Sequence, residues 1–168
     1  MPDSLVEPLY YLVRLILALL CGAIVGWERE VRDKRAGLRT HILICVGACL
    51  FTLVTLEIAK QFEHADAMRI VQGSMLAIGF IAGGVIFTQG SSVHGLTTAA
   101  GLWVLTAVGL ALGMGLYFLG IASTFLALIV IAILPRIERR IHRPPRSLHP
   151  ETSTPPSGED TGDIPDRR

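Results

Sequence analysis

Between Ile70 and Pro135 the chain runs for 66 consecutive residues without a single Asp, Glu, Lys or Arg. A soluble protein would have to bury that run in a very large core, and 168 residues cannot build one. The whole composition agrees: 51% of residues are hydrophobic, only 17% are charged, and the mean hydropathy is +0.54. Soluble domains carry about a quarter charged residues. These values exclude a soluble globular enzyme, an intrinsically disordered chain and a nucleic-acid-binding domain. The chain is expected to be an all-α polytopic membrane protein.

Apolar runs long enough for transmembrane helices place five spans at about 8–27, 42–59, 70–88, 96–112 and 115–134, the fourth the shortest. Pro8 suits a first helical turn, and Pro135 is expected to close the last helix. Gln89 to Gly95 is rich in turn-forming residues, and Gly113-Met-Gly115 allows only a tight reversal. The first span follows acidic residues (Asp3, Glu7) and ends in Glu28-Arg29-Glu30, so it is expected to be a retained helix rather than a cleaved signal peptide. Residues 1–140 then form the membrane domain. Residues 141–168 read as a disordered Pro-rich tail, since seven of the nine prolines lie between Pro135 and Arg168 and apolar residues are scarce there.

Short loops rich in Lys and Arg face the cytoplasm. The loop after the first span holds Arg29, Arg32, Lys34, Arg35 and Arg39, and the segment after the fifth holds Arg136, Arg139, Arg140, Arg143 and Arg146. No Lys or Arg precedes the first span. The expected topology has the N-terminus outside and the C-terminus cytoplasmic, with the basic start of the tail against anionic headgroups.

The candidates for chemistry are few. Cys21, Cys45 and Cys49 lie in apolar runs without a nearby His or carboxylate and read as packing residues, not a metal site or disulfide framework. Gly22 with Gly26, Gly73 with Ala77, and Gly79 with Gly83 recur at four-residue spacing. Such small faces let membrane helices approach closely, and Gly84 adds to the glycine density of the third span. The most informative stretch is Glu28-Arg29-Glu30 with Arg39-Thr40-His41. It fits stop-transfer charges with a Thr40 helix cap, and equally an ion-paired pocket in which Glu28 and Arg39 meet Arg29 and Thr98. Arg14 is an intramembrane charge, a functional candidate by default unless its stem snorkels outward. Glu57 can pair with Lys60 one turn on. Thr97 and Thr98 can satisfy free N–H groups at a helix start, and His94 beside them reads as a capping or interface residue.

Four blocks in order, Gly22-x3-Gly26-x-Glu28-Arg29-Glu30, Ala36-Gly-Leu-Arg-Thr-His41, Gly79-Phe-x-x-Gly-Gly84 and Gly95-Leu-Thr-Thr-Ala-Ala100 with Leu102-Trp103, resemble the MgtC/SapB membrane-protein family over about Leu9 to Arg140. The chain reads as a short form, because many relatives continue into an ACT-like cytoplasmic domain where this one has its Pro-rich tail. Many also carry Arg where this chain has His94, so a fixed charge is replaced by a titratable one. The resemblance implies a bacterial inner-membrane protein tied to magnesium limitation, acid stress, intracellular survival and virulence. It also implies action by modulating other membrane machinery, the ATP synthase among them, with a homodimer as another use of the glycine faces.

Magnesium favours octahedral oxygen coordination with one or two carboxylates. The last three spans contain none, while Glu28 and Glu57 lie at opposite faces. A carbonyl-lined pore across an oligomer is the form in which ion transport stays open. No metal-ligand spacing, Gly-Lys-Ser/Thr motif or gathered Ser/His/Asp set points to an enzyme, and no cofactor is expected. The reading favoured is a regulatory or interaction protein, with magnesium or other ion transport as the alternative.

Overall fold

Inside hydrocarbon every backbone N–H and C=O must find its partner within the protein, which favours continuous helices. The computed structural model describes residues 3–61 and 67–141 as five helices and one small hairpin. These are α1 (Asp3–Val31), α2 (Leu38–Gln61), α3 (Ala67–Val85), β1 (Phe87–Gln89), β2 (Ser92–His94), α4 (Leu96–Gly113) and α5 (Tyr117–Ile141). The all-α membrane architecture expected from the charge-free run is present. Within α1, α2, α4 and α5, the stretches Glu7–Val31, Leu38–Gln61, Leu96–Gly113 and Tyr117–Ile137 are long and apolar enough to cross a membrane. The third helix, α3, spans 19 residues, and α4, with 18, is the shortest, as expected.

Several boundaries move from their expected positions. α1 begins at Asp3, which leaves Pro8 inside the helix rather than at its start. The third span was expected to reach Thr88, but Phe87–Gln89 pairs antiparallel with Ser92–His94, with Phe87 opposite His94. Aromatic and β-branched residues around a Gly90-Ser91 reversal suit a two-residue hairpin, and Gly90 supplies the positive φ (61°) that the turn needs. The tail expected at 141–168 lies, but for Ile141, outside the described residues, as does most of the connection between α2 and α3.

Pro135 does not end α5, which continues to Ile141. Proline removes the N–H that would bond the carbonyl of Ile131, and its ring crowds the preceding turn. Arginines serve this carbonyl and that of Ala132. Arg32 at the end of α1 donates through Nη1 to Ile131 O (3.4 Å) and through Nη2 to Ala132 O (2.8 Å), and Arg136 Nη1 also reaches Ala132 O (3.0 Å).

α4 is the central helix: it packs on each of the other four and buries eleven of its residues, Leu102 and Leu112 completely. Glycines set its approach to α2. A Cβ on Gly109 would stand 2.8 Å from the Ala48 Cβ, and one on Gly113 would stand 2.6 Å from the Thr52 Cβ. Gly22 and Gly26 do the same between α1 and α2, facing Ile42 Cα and Leu38 Cα, each at 2.8 Å. The core between these helices contains Ala18, Cys21, Val25, Cys45, Cys49, Leu105 and Leu112. The three cysteines are free and buried there as packing residues. Thr52, Thr106 and Thr124 are buried with their hydroxyls bonded to the carbonyl one turn back, so they leave no polar atom unpaired in the bundle.

Arg14 is half-buried and bonds within the bundle. Its Nη1 donates to the carbonyl of Gly113 (2.8 Å) and its Nε to the Tyr117 hydroxyl (3.3 Å). A cation at the C-terminus of α4 satisfies an orphan carbonyl and the negative end of the helix dipole. With Arg14 held at the start of α5 and Arg32 near its end, α1 and α5 run parallel, and the chain's first and last helical ends lie at opposite ends of the bundle.

A basic cavity at one end of the bundle

The end of the bundle that carries the Lys/Arg excess is built from the C-terminal turns of α1, the loop to α2, the hairpin, the first turn of α4 and the Pro135 region of α5. Between them lies a cavity of about 900 Å³. Its lining includes Arg29, Arg32, Lys34, Arg35 and Arg136, against one acid, Asp33.

α1 delivers two of these arginines from successive faces. Arg29 is 4% exposed and donates through Nη2 to the Thr98 hydroxyl on α4 (2.6 Å), while its Nε has no partner among the described residues. Arg32 lies one turn on from Glu28 and pairs with it, Nε to Oε1 at 2.7 Å. That contact is poorly aligned for a hydrogen bond, and both Glu28 oxygens are buried without an aligned donor among the described residues. The pair therefore works mainly through charge, in surroundings that strengthen it.

The pocket anticipated around Glu28, Arg29, Arg39 and Thr98 forms only in part. Arg29 and Thr98 meet. Glu28 meets Arg32 instead of Arg39, because four residues on one helix place the two side chains on the same face. Arg39 points outward from the first turn of α2 and is exposed. Thr40 is not the cap of α2. The helix begins at Leu38, whose N–H donates to Glu30 Oε2 (2.9 Å), so the cap comes from the end of α1 across the loop. Gly37 makes room for this, since a Cβ there would overlap the same carboxylate. His41 is fully buried, with Nδ1 2.9 Å from Gly37 O and Nε2 without a partner among the described residues.

Thr97 and Thr98 do not cap α4. Thr97 is exposed, Thr98 accepts from Arg29, and the N-cap position is Gly95, at φ 91° with no side-chain bond to the helix start. A Cβ on Gly95 would stand 3.2 Å from Ile86 Cα, so glycine lets the hairpin close against the end of α3. His94 is exposed and stacks on Phe87 (centroids 5.3 Å apart), and the guanidinium of Arg35 lies 3.6 Å above the same ring. Sequence reasoning did not single out Arg32, Arg35, Phe87 or Arg136. Only the Glu28–Arg32 spacing was a readable signal.

The opposite end of the bundle has a smaller cavity, about 470 Å³, lined by Glu7, Tyr11, Arg14 and Lys60 among others. There Lys60 bonds Glu57 Oε1 (2.9 Å), Glu7 Oε1 (3.1 Å) and the Tyr11 hydroxyl (3.0 Å), and Tyr11 donates to Glu57. The expected Glu57–Lys60 pair is present within this larger group. Among the described residues no three His, Cys, Asp or Glu side chains gather as a metal site.

The glycines of α3 differ from those of α1 and α4. Gly73, Gly79, Gly83 and Gly84 have nothing within 4 Å of a Cβ position. Beside them Leu76 and Phe80 stand 80% and 87% exposed. Of the five glycines expected to pack helices, Gly22 and Gly26 do so inside the chain, and Gly79, Gly83 and Gly84 face outward.

The comparisons with known proteins cover most of the chain. The MgtC family model covers residues 15–140. The chain belongs to the MgtC family. It is 39% identical over 137 residues to the Escherichia coli K12 protein named "Putative magnesium transporter YhiD", covering 78% of this chain and 63% of that one. It is 36% identical over 141 residues to protein MgtC of Salmonella typhimurium LT2, covering 84% and 59%. A Haemophilus influenzae protein is 32% identical over 137 residues. The chain thus spans about three fifths of the length of the curated relatives it matches. No solved structure matches it.

Proposed function

We propose that this member of the MgtC family is a non-enzymatic regulatory protein of the bacterial inner membrane that acts by docking against another membrane complex, in the setting of magnesium limitation or acid stress. The observation that carries this reading is the bare face of α3. Large side chains suit lipid contact, and they dominate the outer faces of α1 and α5. α3 instead sets open glycines beside protruding Leu76 and Phe80. Grooves of that kind accept a close-packed helix from a partner. The carboxylates of the bundle also support docking over ion coordination, because Glu28 pairs with Arg32 while Glu7 and Glu57 share Lys60. The family resemblance raises the ATP synthase as one complex of the right kind.

The names of relatives favour a second reading, magnesium transport. Reconstitution separates the two. Gly83→Leu and Gly84→Leu add side chains into open space, so the protein should insert and fold as before while partner association is lost. Its loss of activity should appear at any external magnesium concentration. Saturable magnesium uptake by the purified protein in liposomes, blocked by those substitutions, would overturn the docking proposal in favour of transport.

A further inference from the structure

The basic cavity has the character of a phosphate site, a property separate from the docking reading and independent of it. Three features of the chain converge there. The first is charge: five cationic side chains face one acid, and Glu28, outside the lining, is paired with Arg32. The second is the start of α4. The N–H groups of a first helical turn have no intrahelical partner, no side chain caps this one, and the positive end of the helix dipole lies at the wall of the cavity. The third is Arg29. It lines the cavity with 4% of its surface exposed, anchored through Nη2 by Thr98, while its Nε has no partner. A buried guanidinium nitrogen without an acceptor is costly, and an oxyanion in the cavity would supply one.

We infer that this cavity binds a phosphate group through Arg29, Arg35, Arg136 and the free N–H groups at the start of α4. Guanidinium forks and helix N-termini are both suited to phosphate oxygens. The volume exceeds what a bare phosphate ion fills and lies in the range of small-ligand sites, so the group would be carried on a small molecule or a lipid. The same chemistry is offered by a free phosphate compound and by an anionic phospholipid headgroup. Arg35 is positioned by Phe87, on which His94 also stacks, so the hairpin would form one jaw of the site.

The test uses the full chain purified in an uncharged detergent. Binding of labelled inorganic phosphate is measured by equilibrium dialysis. Binding to vesicles of phosphatidylglycerol with phosphatidylcholine is compared with phosphatidylcholine alone. The variants are Arg29→Gln, and Arg35→Gln, whose exposed side chain can be changed without disturbing the core. Saturable phosphate binding weakened at least tenfold in Arg35→Gln identifies a free phosphate compound as the ligand. Vesicle binding that requires phosphatidylglycerol and falls to the same degree identifies the headgroup. Arg29→Gln should lose binding more completely, and its thermal unfolding shows whether the fold survives. The absence of saturable binding to either probe, or binding unchanged in Arg35→Gln, overturns the inference.

Discussion

Three arginines of this chain tie helices together. Arg14 receives the end of α4, Arg32 serves the Ile131 carbonyl that Pro135 leaves free and its neighbour Ala132 in α5, and Arg29 ties α1 to α4 through Thr98. In a bundle whose outside is hydrocarbon, an orphan carbonyl cannot be given to water, so a long cation that reaches it from a neighbouring helix has unusual value. The Arg32–Pro135 relation makes a quantitative prediction. Arg32→Met should destabilise the protein by about 1–3 kcal/mol, because it strands both Glu28 and the carbonyls. Pro135→Ala restores the missing N–H, so in that background the same substitution should cost roughly 0.5–1.5 kcal/mol less. Thermal unfolding of the four proteins in detergent gives the coupling. Strict additivity would remove the link between the proline and the arginine.

At the scale of the elements, identical residues have opposite meanings. Gly109 and Gly113 sit where α4 crosses α2, and Gly26 where α1 crosses α2. Gly79 and Gly83 sit on the open side of α3. Gly109→Ala should force the α2–α4 crossing apart at a cost of about 1–3 kcal/mol. Gly79→Ala should leave stability unchanged or raise it by up to about 1 kcal/mol through helix propensity. Detergent denaturation of the two single variants is sufficient to check the contrast. Equal losses would mean that the glycine face of α3 packs against something within the chain after all. The capping of α2 is of the same kind: Glu30 and Gly37 act together across a loop, and a helix-start rule applied to Thr40 alone missed them.

For the molecule as a whole, the parallel course of α1 and α5 puts the two ends of the bundle in different environments. Arg29, Arg32, Lys34, Arg35 and Arg136 all gather at one end, and the positive-inside rule assigns that end to the cytoplasm. A phosphatase reporter that works only in the periplasm should therefore be silent when fused after Arg146 and active when fused at the N-terminus. Activity after Arg146 would reverse the orientation.

Much of this protein was decided by linear pattern. The absence of charge from Ile70 to Pro135 requires a membrane environment, and the runs on either side of Gln89–Gly95 and Gly113–Gly115 locate the helices to within a few residues. Periodicity and composition suffice there because the solvent acts on each segment separately. The family blocks were legible for the same reason, as local strings. Tertiary structure decided what depends on two segments meeting. It brought Arg29 to Thr98, set Arg32 against the Pro135 turn of α5, and closed a hairpin that holds Arg35 over Phe87. It also divided the glycines into those that bring helices together and those that face outward. Each of these outcomes depends on distances across the bundle, and residue spacing along a single chain does not contain them.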